Sequence, residues 1–192
     1  MMKKVFDRKL LLILIVCVVV VACGDDGIVE VPTQNDRIEE DLVKIEEYIQ
    51  EKGYQNVDTT KSRVRYVILD EGDGELIEYN DIVTLHFAGR YLDDLLFYTS
   101  IDTVDLNNDS YDSTKNYNPV VFTHSASGWA MGQATTVSGF VDGTTRSLDK
   151  LRVNGHARIF IPTLLSTGNL NGRSIPTNEP VVYDIYPVKV RK

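Results

Sequence analysis

Three patterns of apolar residues succeed one another along this chain. The first is an unbroken run from Leu10 to Ala22, preceded by basic Lys3, Lys4, Arg8 and Lys9. Its thirteen residues are too few to span a bilayer, which takes roughly 20. They suit the apolar core of a secretory signal, about 7–15 residues long. The second pattern is Ile38, Leu42, Ile45 and Ile49, spaced four, three and four. That spacing predicts an amphipathic helix over Asn35 to Lys52, with Asn35 as its cap, Asp36, Glu39 and Glu40 at its positive end, and Gly53 closing it. Its apolar stripe needs a partner, either the same domain or a second chain. The third pattern begins at Arg63, where Val64, Tyr66 and Ile68 alternate with Arg65 and Val67 as in a strand. Glu71-Gly72-Asp73-Gly74 reads as a turn, and Ile82–Phe87, His156–Ile161 and Val181–Val190 read as further strands. One helix is expected among them, Thr144 to Leu151, with Leu148 and Leu151 on one side. Ser100 to Asn118, rich in Asp, Asn, Ser and Tyr, reads as a long surface loop. Many strands and one internal helix predict an antiparallel α+β fold.

The end of the first run carries its own signal. Val20-Val21-Ala22-Cys23 resembles a lipobox, whose cleavage would leave Cys23 as an acylated N-terminus. Bulky Val16 makes Cys17 a poor alternative. The expected organisation is a signal peptide over 1–22, a tether over 23–34, a helix and linker over 35–62, and a domain over 63–192. Acidic Asp25 and Asp26, just after the cysteine, resemble the surface-export signals of some Bacteroidetes lipoproteins. The expected location is thus the cell envelope, lipid-anchored at the outer membrane on its periplasmic or surface-exposed side. With only two cysteines, both used up by cleavage and acylation, stability must come from the core.

Charge narrows the partners. Removing residues 1–22, which carry a net +3, takes the −8 of the whole chain to −11. Nucleic acid rewards Lys and Arg on its phosphates, so it is not an expected partner, and the membrane is met through the lipid alone. Asp105-Leu106-Asn107-Asn108-Asp109 alternates oxygen ligands but lacks the glycine and closing glutamate of a calcium loop. His86, His124 and His156 are too scattered for a metal site. Ser125-Ala126-Ser127-Gly128 is no nucleophile elbow.

Several local motifs, in order, resemble the FKBP-type peptidyl-prolyl isomerases. Arg65 to Gly74 is similar to the family's first strand and its Gly-x-Gly turn, and Val83-Thr84-Leu85-His86-Phe87-Ala88-Gly89 to its Val-x-Val-His-Tyr-x-Gly strand. Leu151 to Pro162 matches Met-x-Val-Gly-Gly-x-x-Arg-Leu-x-Ile-Pro without a gap. Ser174-Ile175-Pro176 and Val181-Val182-Tyr183-Asp184-Ile185 match the closing Ile-Pro and Leu-Val-Phe-Asp-Val. The helix aligns in two registers. Val137 to Gly143 fits with four extra residues before Leu151, about one helical turn. The gapless register puts Phe140 to Thr144 there instead.

The resemblance implies an FKBP-like half-barrel sheet wrapped around one short helix, with an extra N-terminal helix. It also implies a pocket for proline-containing polypeptides of the envelope, working without cofactor or metal. Phe87, Phe97, Phe140 and Tyr183 fall on its aromatic walls, with Val137 and Ile175 as aliphatic lining. Four positions depart from the family. Tyr98 replaces the aspartate after the wall phenylalanine, and Thr167 replaces the tyrosine that donates to ligand. Val120 stands for a second wall phenylalanine, and Phe140 (Thr144 in the other register) for the floor tryptophan. An apolar cup with its polar guides lost fits a weak isomerase or folding helper. It equally fits a non-catalytic binding module on the same fold. Trp129, in a segment the family lacks, would cover the pocket or anchor its own loop.

Overall fold

The computed structural model of the chain describes residues 33–129, 135–175 and 178–192. The expected signal peptide, Cys23 and most of the tether lie outside them, as does Pro176. Strand β2 (Arg65–Asp70) is flanked by short β1 (Asp58–Thr59) and by β6 (His156–Ile161). Next to β6 lies β9 (Val181–Arg191), then β3 (Ile82–Tyr91), while short β7 (Asn169–Leu170) and β8 (Arg173–Ser174) pair with each other apart from this sheet. Strand β3 pairs with both β4 (Leu96–Thr99) and β5 (Val120–Thr123). Every pairing is antiparallel. This is the α+β architecture expected: an antiparallel sheet, a short helix against it, and an additional helix at the N-terminal side.

Because strand residues alternate between faces, the sheet has two apolar sides. Tyr66, Phe87, Ile159, Tyr183 and Ile185 point to one, where helix α3 (Ser138–Leu148) contributes Phe140 and Leu148. Val67, Phe160 and Val182 point to the other, where helix α1 (Gln34–Lys52) lays Ile45, Tyr48 and Ile49 on them. The stripe of α1 therefore has its partner within the chain. Arg65 pairs with Glu46 at 2.7 Å, and Tyr48 donates to Asp94 at 2.6 Å. Buried Asp41 accepts the Thr163 N–H at 2.8 Å, capping the single turn of α4 (Thr163–Ser166). Helix α1 and the strands belong to one compact unit, Thr33–Lys192.

Three details differ from expectation, each for a local reason. Helix α1 is capped by Thr33, which shares a capping box with Asp36, and Asn35 lies inside its first turn. Helix α3 begins at Ser138, not Thr144. Glycine weakens an isolated helix by about 1 kcal/mol per residue, which hides the start. Here the glycines are required by close approach, since a Cβ on Gly139 or Gly143 would lie 2.3 Å from Ile161 or Ile159 of β6. Within 100–118 a helical segment, α2 (Asp102–Asn107), interrupts the expected loop. Its buried Asp105 accepts from Ser110 at 2.9 Å and pairs with Lys115. Burial opposes ionisation of Asp105, but Lys115, Tyr117 and Ser110 outweigh it and hold the carboxyl below its usual range.

Candidate functional site

The aromatic residues expected at the pocket meet on the α3 side of the sheet, and strand register explains how. Gly89 of β3 lies opposite Tyr183 of β9 on one side and Tyr98 of β4 on the other. The β3–β4 register then slips by one residue between Gly89 and Arg90. Sequence neighbours Phe97 and Tyr98 thereby both reach the inner side, as a bulge permits. Phe97 stands edge-on to Tyr183 (5.7 Å, 88°), and Tyr98 edge-on to Phe87 (5.2 Å, 70°). Gly89 makes the room: a Cβ there would lie 2.7 Å from both the Phe97 and Tyr183 rings.

Helix α3 completes the cluster by bringing Phe140 to 4.8 Å from Tyr183 and 5.8 Å from Phe87. Val137 at its N-cap, Ile175, and Val120 on β5 are buried in the same core. Phe140 thus stands in the cluster, and Thr144 is buried one turn further on.

The rings meet, but they do not form an open cup. Phe87, Phe140 and Tyr183 are 0% exposed and Tyr98 is 4% exposed. Tyr98 packs where the resemblance placed a carboxylate, under the cations of Arg173 (4.9 Å from its ring) and Lys115 (5.6 Å). Trp129 closes another side. It lies flat on Phe122 at 3.9 Å and edge-on to Phe140 at 5.6 Å. Of the two roles open to Trp129, covering the pocket or anchoring its own loop, only tertiary packing shows its contact with the cluster. Phe122 was missing from the expected site, though it was legible in principle, since it shares a strand face with Val120 two residues away.

Polar groups near the cluster are occupied or stranded. The Val137 N–H donates to Thr135 Oγ1 at 3.1 Å. The Tyr183 hydroxyl is buried without a partner among the described residues, and burial pushes its phenol pKa far up. Thr167 is a correction: it stands outside the cluster. Following α4 it adopts an extended backbone, is exposed, and turns its hydroxyl back to the Thr163 carbonyl at 3.5 Å. The three histidines serve separate partners: His86 meets Ser100 at 2.9 Å, His124 meets Asp149 at 3.3 Å, and His156 meets Asp184 at 2.8 Å.

Comparison with known proteins gives distant relatives of one kind. A probable FKBP-type peptidyl-prolyl cis-trans isomerase, FkpA of Neisseria meningitidis serogroup B, is 29% identical over 136 residues, 70% of this chain and 40% of that protein. FkpA of Aeromonas hydrophila is 23% identical over 154 residues, 80% of this chain and 48% of that protein. The chain thus spans less than half the length of the curated relatives it matches. No family model matches it. Among solved structures, FkpA from Escherichia coli aligns with a TM-score of 0.48 at 19% identity, over 82% of this chain and 62% of that one. A peptidyl-prolyl isomerase from Pseudomonas syringae aligns with a TM-score of 0.47 at 17% identity, over 83% and 97%.

Proposed function

We propose that this chain, a distant relative of the FKBP-type peptidyl-prolyl isomerases, is a slow isomerase and folding helper for proline-containing polypeptides of the cell envelope. It would be held at the membrane by lipid on Cys23. The observation that carries the reading is the convergence of Phe87, Phe97, Phe140 and Tyr183, from four separate elements, into one edge-to-face cluster. An X–Pro amide resists rotation by about 18–20 kcal/mol because resonance keeps its C–N bond planar. Twisting weakens that resonance and makes the amide less polar, so an apolar aromatic site favours the twisted form over the planar one. No nucleophile or cofactor enters such a step. In this chain Trp129 must first move off Phe140, and Tyr98 leaves no carboxylate to guide the substrate. Both features make turnover slow.

A second reading, a non-catalytic binding module on the same frame, is favoured by one observation: the complete burial of Phe87, Phe140 and Tyr183. Exchange of a short proline peptide, followed by NMR, separates the two. The isomerase reading expects weak acceleration by the protein and stronger acceleration by a folded Trp129→Ala variant. Equal inertness of both would hand the assignment to the binding module.

A further inference from the structure

Just outside the aromatic cluster, a groove of about 390 Å³ runs between α3 and the loop that carries Trp129. That size lies within the range of ligand sites, about 300–1,000 Å³. Ser127 and Gly128 form one wall, while Ser138, Val141, Asp142 and Thr145 of α3 form the other. The groove adjoins the cluster on two counts. Gly128 precedes Trp129, and Val141 follows Phe140, about 100° round the helix. A chain leaving the cluster past Trp129 would therefore enter this groove directly.

Resting on the prolyl-site reading above, we infer that this groove holds the extended polypeptide flanking the substrate proline. The lining fits a neutral main chain. Ser127, Ser138 and Thr145 each offer both a donor and an acceptor, and the two charged residues of the lining are already engaged, Asp142 by the Ser62 hydroxyl and Arg146 by Asp149 at 3.6 Å. A groove meant for an anion, such as a phosphate, would concentrate cations instead. A further observation concerns Thr145. Thr145 is 2% exposed, and its hydroxyl has no hydrogen-bond partner among the described residues. Buried polar groups are ordinarily paired, and a peptide carbonyl or N–H in the groove supplies the partner.

The test compares a ten-residue uncharged peptide with one central proline against its four-residue core, binding to the purified protein by calorimetry. The longer peptide is expected to bind about tenfold more tightly. Ser138→Tyr, an exposed position whose new ring fills the groove, should remove that advantage. Thr145→Val keeps the shape but not the hydroxyl, and should weaken the longer peptide about threefold. A purely structural Thr145 would leave that affinity unchanged. Equal affinity of the two peptides overturns the inference, as does indifference of the longer peptide to both variants. A longer peptide that responds to both variants but binds equally well with alanine in place of proline upholds the groove and removes the prolyl reading.

Discussion

Trp129 lies flat on Phe122, with ring centroids 3.9 Å apart and planes 7° from parallel. Since the chain has a single tryptophan, its fluorescence reports the surroundings of this one ring. Phe122→Ala removes a fully buried ring and is expected to cost about 3–5 kcal/mol. It should also shift tryptophan emission to the red while the protein stays folded. An unmoved emission maximum in folded Phe122→Ala would mean that the loop holds Trp129 without the stack.

Tyr98→Asp restores the carboxylate that the resemblance expects, beneath Arg173 and Lys115. It trades a buried ring for an ion pair, so a stability loss of about 2–4 kcal/mol is expected on the scale of large-to-small core changes. Isomerisation should rise. NMR exchange rates on a proline peptide check this, with thermal melting as the control for folding.

Helix α1 should be indispensable. Ile45, Tyr48 and Ile49 cover Val67, Phe160 and Val182 on the outer side of the sheet. Ile45→Ala is expected to cost about 2–5 kcal/mol, measured by urea unfolding. A fragment beginning at Ser62 should fail to unfold cooperatively, since an apolar sheet face would then meet water. A cooperative transition in that fragment would restore the boundary near Arg63 that the motifs suggested.

Acid should weaken the fold in two ranges. Burial lowers the pKa of His124 below the usual imidazole value of about 6.5, although Asp149 and Asp81 pull the other way. The unfolded chain then takes up a proton that the folded chain refuses, so stability declines as pH falls below about 6.5. His124→Gln should flatten that slope. Asp184 behaves differently. Burial alone would raise its pKa, but His156 and Arg158 outweigh burial and hold it below the ordinary 3.8. Its contribution is present above that value and is lost as pH falls through the lower folded pKa. Asp184→Ala would strand Arg158 and cost about 3–5 kcal/mol at neutral pH. Urea midpoints against pH, for the three proteins, give both slopes.

The proposed anchoring rests on Cys23. Cys23→Ser should abolish incorporation of labelled fatty acid and release the protein from membranes. Membrane-bound, acylated Cys23→Ser protein would rule out Cys23 as the site of the lipid.

The sequence alone determined those features whose physics is local. Alternation through Val64–Ile68, Ile82–Phe87 and Val181–Val190 marked the strands, because successive side chains in a strand face opposite ways. The spacing of Leu42, Ile45 and Ile49 marked α1, because residues three and four apart share a helix face. Local motifs brought Phe87, Phe140 and Tyr183 onto one list. Only the tertiary structure decided what that list amounts to. Helix α3 starts at Ser138 because Gly139 and Gly143 let it touch β6, a reason that lies in Ile159 and Ile161 rather than in the helix. Phe97 and Tyr98 share a side because β4 slips by one residue on β3, and Thr167 is excluded because α4 turns it outward. Whether the pocket stands open was decided last, by Tyr98 filling one side and Trp129 another. Such filling depends on which residues meet across the fold, and spacing along the chain carries no record of it.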